Sequence, residues 1–444
     1  MNLAEYAKSL VYEHKIDRSL YNKYNVKIGL RNKDGSGVLV GLTKVGDVHG
    51  YIKDEEEVVP VEGRLRYRSI DIEPIIEAIQ AEKRMGFEEV AFLLLFGKLP
   101  TAVEQEKFNN MLDANRDLPE GFVENMILKA PSNNIMIKLA RSILACYSYD
   151  KNPEALDVEN VLRQSIELIA RFPTMIAYGF QAKAHYYHDK SLVIHKPKNG
   201  LGTAKNFLRL IRHNRDFSDL EAQTLDICLI LHAEHGGGNN STFTVRVVTS
   251  SDTDTYSAIS AAVGSLKGYK HGGANMKVIE MFEDIKKNVK DWSNEKEIRE
   301  YILKILNKQA FDRSGLIYGL GHAVYTISDP RAVILKKYAN DLAKEKNRSE
   351  EFNLYTLVEK IGIESFLELK GSSKKICANV DMYSGLVYNM LDIPPELYTP
   401  IFAMSRITGW CSHRIEELIN GGKIIRPAYK NVSEKKEYIP LAKR

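Results

Sequence analysis

Leu225-Asp226-Ile227-Cys228-Leu229-Ile230-Leu231-His232-Ala233-Glu234-His235-Gly236-Gly237-Gly238-Asn239 is an apolar, helix-like run that ends in histidines and then opens into three glycines. Glycine lets a backbone approach a ligand closely, so the end of this helix is a candidate binding turn. His232, Glu234 and His235 also invite a metal reading, that of a metal-dependent hydrolase. The order is not His-Glu-x-x-His, however, and no third ligand stands nearby. An inert histidine pair at a helix end is the plainer alternative.

Working outward, the helical pattern continues on both sides. From Glu73 onward the chain reads as mostly α. Asn294 and Glu297 form a capping-box-like start, and Ile298, Ile302 and Ile305 follow at helical spacing. A second stripe runs Ile334, Leu335, Tyr338, Leu342. Lys183 to Thr203, rich in His, Lys, Asp and Gly, reads as a loop, and Ala343 to Phe352 as a charged, solvated stretch. Residues 1–60 differ. A helix comes first, then the Gly-rich Asp34-Gly35-Ser36-Gly37, then strand-like pieces from Val38 to Ile52 broken by Gly41, Gly46 and Gly50, which predict short hairpins. The fold class is therefore mainly α with short N-terminal β elements.

The 444 residues suffice for one large multi-layer unit or about three average domains. A net charge of +4 gives no reason to expect nucleic acid or a membrane surface as partner. The longest apolar run, Ala91 to Phe96, is far too short to span a bilayer, and the first residues lack the basic and apolar regions of a signal peptide. The four cysteines, Cys146, Cys228, Cys377 and Cys411, are far apart and form no Cys-x-x-Cys pair. That fits a reducing cytoplasm and argues against a zinc ribbon or a disulfide framework.

Three further segments could carry chemistry. In Gly268-Tyr269-Lys270-His271-Gly272-Gly273-Ala274-Asn275 a histidine stands at the start of a helical pattern. The helix dipole and Lys270 would both favour its neutral ring, which can donate to a carbonyl gaining negative charge; helix capping is the alternative. Tyr318-Gly319-Leu320-Gly321-His322-Ala323-Val324-Tyr325 again sets glycines before a histidine, and Asp329-Pro330-Arg331 puts a guanidinium at a helix start, where it can grip a carboxylate. Asn379-Val380-Asp381-Met382-Tyr383-Ser384-Gly385 sets an aspartate among apolar neighbours, as an N-cap or a base. Arg406 lies within the apolar helix Ile401 to Trp410 and wants an anionic partner. Arg426 follows the turn at Gly421-Gly422.

Together these segments resemble the citrate synthase family in identity, order and approximate spacing, from about Gly63 to Pro427. The resemblance opens with Gly63-Arg64-Leu65-Arg66-Tyr67-Arg68-Ser69 and is densest from Leu231 to Ile279; the Gly-Leu-Gly-His-Ala-Val-Tyr and Asn-Val-Asp-Met-Tyr-Ser-Gly segments are its most specific parts. It implies a two-domain helical fold: residues 1–60 an extension joined to the large domain, 61–277 the first part of that domain, 278–388 a small helical domain, and 389–444 the rest of the large one. It implies an acyltransferase that condenses acetyl-CoA with oxaloacetate and hydrolyses citryl-CoA to citrate. Propionyl-CoA, giving 2-methylcitrate, is the close alternative, and a non-catalytic binder of carboxylates or coenzyme A a further one.

By family position Asp381 is the base, His271 the donor to the thioester oxygen and His322 the group that polarises the ketone. His235, Arg331, Arg406 and Arg426 bind the keto acid, with Arg426 reaching across a homodimer. Lys374, and Lys375 beside it, would hold coenzyme A, against the alternative of a solvated loop. No metal or redox cofactor is implied, since acetyl-CoA is a substrate. The chain departs from the family at Ser69, where glycine is usual, at Tyr269-Lys270, where Pro-Leu is common, and at Thr326, where many relatives carry a basic residue.

Overall fold

The computed structural model describes residues 14–32, 35–54, 57–371 and 375–443. Its longest helix, Val158–His188, is buried over most of its length and lies against the helices Tyr398–Asn420, Gly202–Ile211 and Ile135–Cys146. Asp157 starts it by accepting from the Asn160 amide at 2.9 Å. The helix runs on to His188, past Lys183, where the sequence reading expects a loop to begin. The reason is tertiary: Ala184 is buried, and the Lys183 amine, also buried, pairs with Glu396. Asp189 then ends the helix in the left-handed region, with φ of 52°.

A second group of helices packs on itself: Ala274–Asn288, Glu295–Leu306, Pro330–Glu345, Ser349–Lys370 and Asp381–Met390. The expected apolar stripes are its seams, since Ile298, Ile302, Ile305, Ile334, Leu335 and Leu342 are all buried. Phe282 and Tyr355 stack inside it with ring centroids 3.4 Å apart. Asn294 caps its helix by accepting from the amides of Lys296 and Glu297. The reciprocal half of a capping box is missing, because the Glu297 carboxylate takes the amides of Lys290 and Asp291 instead. The Ala343–Phe352 stretch is less solvated than its charge suggests: Ala343 and Glu351 are buried, and Glu351 pairs with Lys286 and Arg348.

The strands begin later than expected. β1 (Gly46–Asp54), β2 (Glu57–Tyr67) and β3 (Ile70–Asp71) form one antiparallel sheet in that order. Leu39, Val40 and Leu42 are exposed, so residues 38–43 have strand-like residues but no core to bury them, whereas Val45, Leu65 and Tyr67 are buried. Arg68 and Ser69 make the turn into β3 with φ of 50° and 69°, so the left-handed turn survives without the family's glycine. The Tyr67 hydroxyl donates to the Ile230 carbonyl at 2.8 Å, and Arg68 donates to the Leu94 carbonyl at 2.9 and 2.6 Å. The sheet is thus fastened to the ends of the helices Asp219–His232 and Phe87–Phe96.

Gly385 marks the closest approach within the second helix group. A Cβ there would lie 2.6 Å from Asn275 Oδ1 and 2.7 Å from Ile279 Cδ1. Alanine normally stabilises a helix interior over glycine by about 1 kcal/mol, but overpacking costs about 1–3 kcal/mol. Gly385→Ala is therefore expected to lower the urea midpoint at unchanged slope; a raised midpoint would show that the two helices can part without penalty.

Candidate active site

Three elements bring the site residues together: the turn after the Asp219–His232 helix, the loop before the Pro330–Glu345 helix, and the start of the Asp381–Met390 helix. Tyr325 sits at their centre and is fully buried. Its ring stacks on His322, with centroids 4.7 Å apart and 24° between planes. It meets His235 edge-on at 5.7 Å, and His235 meets His322 edge-on at 5.1 Å. The Arg331 guanidinium carbon lies 5.8 Å from the centre of the same ring.

His322 Nδ1 accepts from the backbone amides of Val324 and Tyr325 at 3.1 and 3.2 Å. That fixes the tautomer: Nδ1 has no proton, so Nε2 carries it and can donate. Burial and the nearby Arg331 push the ring down to about 4, so it is neutral at physiological pH. His235 is driven well below its ordinary value by burial and then by Arg331, and its Nε2 has no hydrogen-bond partner among the described residues.

The two most specific motifs are laced to each other. Gly321 donates its amide to the Cys377 carbonyl at 2.8 Å, and Asn379 donates its amide to the Gly319 carbonyl at 2.8 Å. The Asn379 side chain donates to the Gly321 carbonyl at 2.8 Å and accepts from the Asp381 amide at 3.0 Å. This short ladder ties the His322 loop to Asp381. Gly319 and Gly321 both hold φ of 90°, a conformation that suits glycine, and a Cβ on Gly319 would lie 3.1 Å from Met382 Cα. Asp381 is the first residue of its helix rather than its N-cap. Burial raises its carboxyl to about 6 even though Arg331 pulls the other way.

His271 stands apart from the Tyr325 cluster, on the far side of Phe402. Phe402 meets His271 at 6.0 Å and carries Arg406 over its face at 4.7 Å. His271 Nε2 lies 2.9 Å from Ser241 Oγ and accepts from the Ser241 amide at 3.4 Å, and Trp410 donates to that same hydroxyl at 3.1 Å. Nε2 is therefore the acceptor, and Nδ1 carries the proton. The ring falls to about 4, chiefly through burial and then through Arg406. Lys270 is exposed, and the next helix begins only at Ala274, so the dipole and lysine argument is replaced by burial.

The two arginines differ. Arg331 grips Asp329 through Nε at 3.0 Å and Nη2 at 2.7 Å. Arg406 is fully buried and donates through Nε to the His232 carbonyl at 2.6 Å, but no described residue accepts from its Nη1 or Nη2. A buried cation with one open edge has the donors to receive a carboxylate. Glu234 does not neutralise it by direct contact. Its Oε1 accepts from His413 Nε2 at 2.9 Å and from the Gly236 amide, and Oε2 has no partner. His413 in turn meets Arg246, which pairs with Glu416 and with Glu417. Burial pushes Glu234 up, but His413 and Arg406 outweigh it and the net shift is downward.

His232, Glu234 and His235 do not converge. The His232 ring bonds the Cys228 carbonyl at 2.8 Å, Glu234 faces His413, and His235 faces His322. Among the described residues no group of three or more His, Cys, Asp or Glu could hold a metal ion. Arg426 is exposed, Lys375 is exposed, and Lys374 lies outside the described residues. The sequence reading gave no role to Tyr325, Asp329, Ser241, Phe402 or Trp410. Two of them carried a signal: Tyr325 as the last residue of the Gly-Leu-Gly-His-Ala-Val-Tyr segment, and Asp329 as an acid two residues before Arg331.

A family model for the citrate synthase C-terminal domain matches residues 34–428. The chain belongs to the citrate synthase family. It is 34% identical over 416 residues to the citrate synthase of Synechocystis sp., covering 93% of this chain and 94% of that one. It is 32% identical to the 2-methylcitrate synthase of Shewanella oneidensis, covering 86% and 92%. Among solved structures, the citrate synthase of Pyrobaculum aerophilum matches with a TM-score of 0.77 at 30% identity, covering 92% of this chain and 94% of that one. The ternary complex of carboxymethyl coenzyme A and oxaloacetate with the Thermoplasma acidophilum citrate synthase matches with a TM-score of 0.74 at 27% identity, covering 94% and 99%.

In this family member Asp381 sits in a place that costs stability. Its carboxyl is near 3.8 unfolded and about 6 folded. The native state therefore holds its proton more tightly, and stability falls as pH rises from about 4 to 6 and stays reduced above. Asp381→Asn is expected to stabilise the protein by about 1–3 kcal/mol at pH 7.5, the gain shrinking toward pH 4. Urea unfolding at the two pH values checks this; a gain independent of pH would place its cause outside the ionisation.

Proposed function

We propose that the chain condenses acetyl-CoA with oxaloacetate through these residues and hydrolyses the citryl-CoA formed. The observation that carries the reading is the buried edge of Arg406, with no partner among the described residues, together with two neutral histidines, His271 and His322, whose protons are assigned. Removing a proton from a thioester methyl needs a base and a donor at the enolate oxygen at once. Asp381, raised but ionised at neutral pH, serves as the base. His271, neutral with Nδ1–H free, donates to the thioester oxygen. His322 donates from Nε2 to the ketone of oxaloacetate and gives up its proton as the new carbon–carbon bond forms. His235, Arg331 and Arg406 orient the keto acid. Hydrolysis of the thioester then makes the sequence irreversible, and no metal or redox cofactor takes part.

We assign 278–388 as a small domain that closes on the large one, formed by 61–277 and 389–444 and joined by the 1–60 extension, so that closure excludes water before condensation. We further propose a cytoplasmic homodimer in which Arg426 completes the partner's site. Its support is that Arg426 is exposed on the segment after the Tyr398–Asn420 helix, where Ile424 and Tyr429 are exposed as well. Lys374 and Lys375 remain the proposed contacts of coenzyme A. Four unpaired thiols fit a reducing compartment, and no helix among the described residues is long and apolar enough to cross a membrane.

Release of free thiol with oxaloacetate and either acetyl- or propionyl-CoA tests the reaction. Faster turnover of propionyl-CoA would assign the chain to 2-methylcitrate synthesis, a choice that one methylene decides by about 1–3 kcal/mol. The wild-type rate is expected to fall as pH drops through about 6, where Asp381 is protonated. Asp381→Asn should lose about 10²–10⁴-fold in rate; activity within about tenfold of wild type would remove Asp381 from the role of base.

Mixing inactive Asp381→Asn and Arg426→Leu chains and letting them exchange tests the shared site. About a quarter of wild-type activity is expected, because half of randomly mixed dimers are hybrids with one intact site each. No recovery in demonstrably hybrid dimers would place Arg426 in its own chain's site or outside both.

A further inference from the structure

β1 and β2 do not pair evenly. His49 faces Arg64 and Tyr51 faces Pro60, so Gly50 alone stands opposite Val61, Glu62 and Gly63. A bulge of this kind locally breaks the ladder and re-aims the residues it carries, and bulges gather beside active sites. Here the extra residues turn toward the loop between His322 and Arg331. The Gly63 amide donates to Ser328 Oγ at 3.2 Å, and the Ser328 hydroxyl donates to the Glu62 carboxylate. One residue on, the Arg64 carbonyl accepts from the Tyr325 hydroxyl at 3.4 Å.

The approach leaves no room for a side chain. A Cβ on Gly63 would lie 2.1 Å from the Ser328 carbonyl oxygen and 2.7 Å from Tyr325 Cδ1. Across the bulge, a Cβ on Gly50 would lie 2.7 Å from the Val324 carbonyl oxygen. Both strands therefore press backbone to backbone on residues 324–328. That loop begins at His322, whose Nδ1 is held by the amides of Val324 and Tyr325, and ends at the Asp329 that grips Arg331. Tyr325, within it, touches His322, His235 and Arg331.

We infer that the bulge of the N-terminal hairpin, through Gly63, Glu62 and Ser328, is a positioning element for keto-acid binding: it sets where the Tyr325 platform lies and so where His322 and Arg331 point. Among the described residues the hairpin makes no hydrogen bond, ion pair or ring contact with Asp381 or His271. It should therefore govern the keto acid and leave the acyl-CoA largely alone. This rests on the condensation reading for its kinetic test.

The test compares Gly63→Ala, Ser328→Ala and, as a matched control, Gly86→Ala. Gly86 lies in the core, where a Cβ would meet Ile79 Cδ1 at 2.1 Å, so its substitution strains the fold away from the loop. Gly63→Ala is expected to lower kcat/KM for oxaloacetate about 10- to 100-fold, the scale of a misplacement of about 1 Å, with KM for acetyl-CoA within about threefold of wild type. Ser328→Ala, the milder change, should raise KM for oxaloacetate about two- to tenfold, the loss of about one hydrogen bond. Gly86→Ala should lower Tm and leave the ratio of the two KM values unchanged.

A folded Gly63→Ala or Ser328→Ala protein with wild-type oxaloacetate parameters would overturn the inference. So would equal losses for both substrates, or a Gly86→Ala protein with the same selective loss. If Gly63→Ala does not fold, Ser328→Ala decides alone. A wild-type chain that releases no thiol from either acyl-CoA would overturn the functional reading instead. Calorimetric titration with oxaloacetate then decides the positioning role: weaker binding by Ser328→Ala supports it, and unchanged binding, or none by the wild type, overturns it.

Discussion

A guanidinium whose outer edge has no partner among the described residues, buried with no exposed surface, is the constraint around which this site is arranged. Taking Arg406 out of water is unfavourable unless something negative or strongly polar returns the lost solvation. The fold supplies a single backbone carbonyl, that of His232, and leaves Nη1 and Nη2 open. Glu234 lies near enough to be pulled down by Arg406, yet His413 and the Gly236 amide occupy it. In the proposed reaction the missing negative charge comes with the substrate. An anion with two carboxylates can meet both Arg406 and the remaining edge of Arg331, whereas a monoacid leaves one unpaired.

The same buried cations make the histidines useful. His235 and His322 are driven down by burial and by Arg331, and His271 by burial and by Arg406. Charged imidazoles would repel the arginines and waste their donors on solvent. Two of the neutral rings keep a defined tautomer, because each has one nitrogen committed to the protein: Nδ1 of His322 to backbone amides, Nε2 of His271 to Ser241. The other nitrogen of each then carries the proton. Asp381 is affected in the opposite direction, since burial raises an acid, and its value near 6 leaves it ionised at neutral pH but more basic than a solvated carboxylate.

Rigidity comes from backbone contacts that need small residues. The ladder between Gly319–Gly321 and Cys377–Asn379 couples His322 to Asp381, and the Gly50 and Gly63 contacts hold the next part of the same loop from the sheet side. The segment that carries His322 and leads to Arg331 is thus clamped on both flanks. Such contacts are unforgiving of a single added methyl group, because a carbonyl oxygen at about 2 Å cannot move aside as a flexible side chain can.

The sequence by itself determined the helical class, the apolar seams at Ile298–Ile305 and Ile334–Leu342, and the family, because these rest on local periodicity and on short motifs that keep their order. It also singled out His235, His271, His322, Arg331, Asp381 and Arg406, each by unusual neighbours within a few residues. What it could not show was direction and partnership. That Glu234 turns to His413, that Arg331 spends one edge on Asp329, that Tyr325 joins three site residues, and that Lys183 continues a helix by pairing with Glu396 all depend on residues distant in the chain or on how a local pair is oriented. Capping and strand limits moved for the same reason: Glu297 found other amides than that of its own cap, and residues 38–43 had the strand-like composition but no core to bury it. Only the tertiary structure could decide these points, because the energy of a buried polar group is set by the atoms that surround it in space and not by its neighbours in sequence.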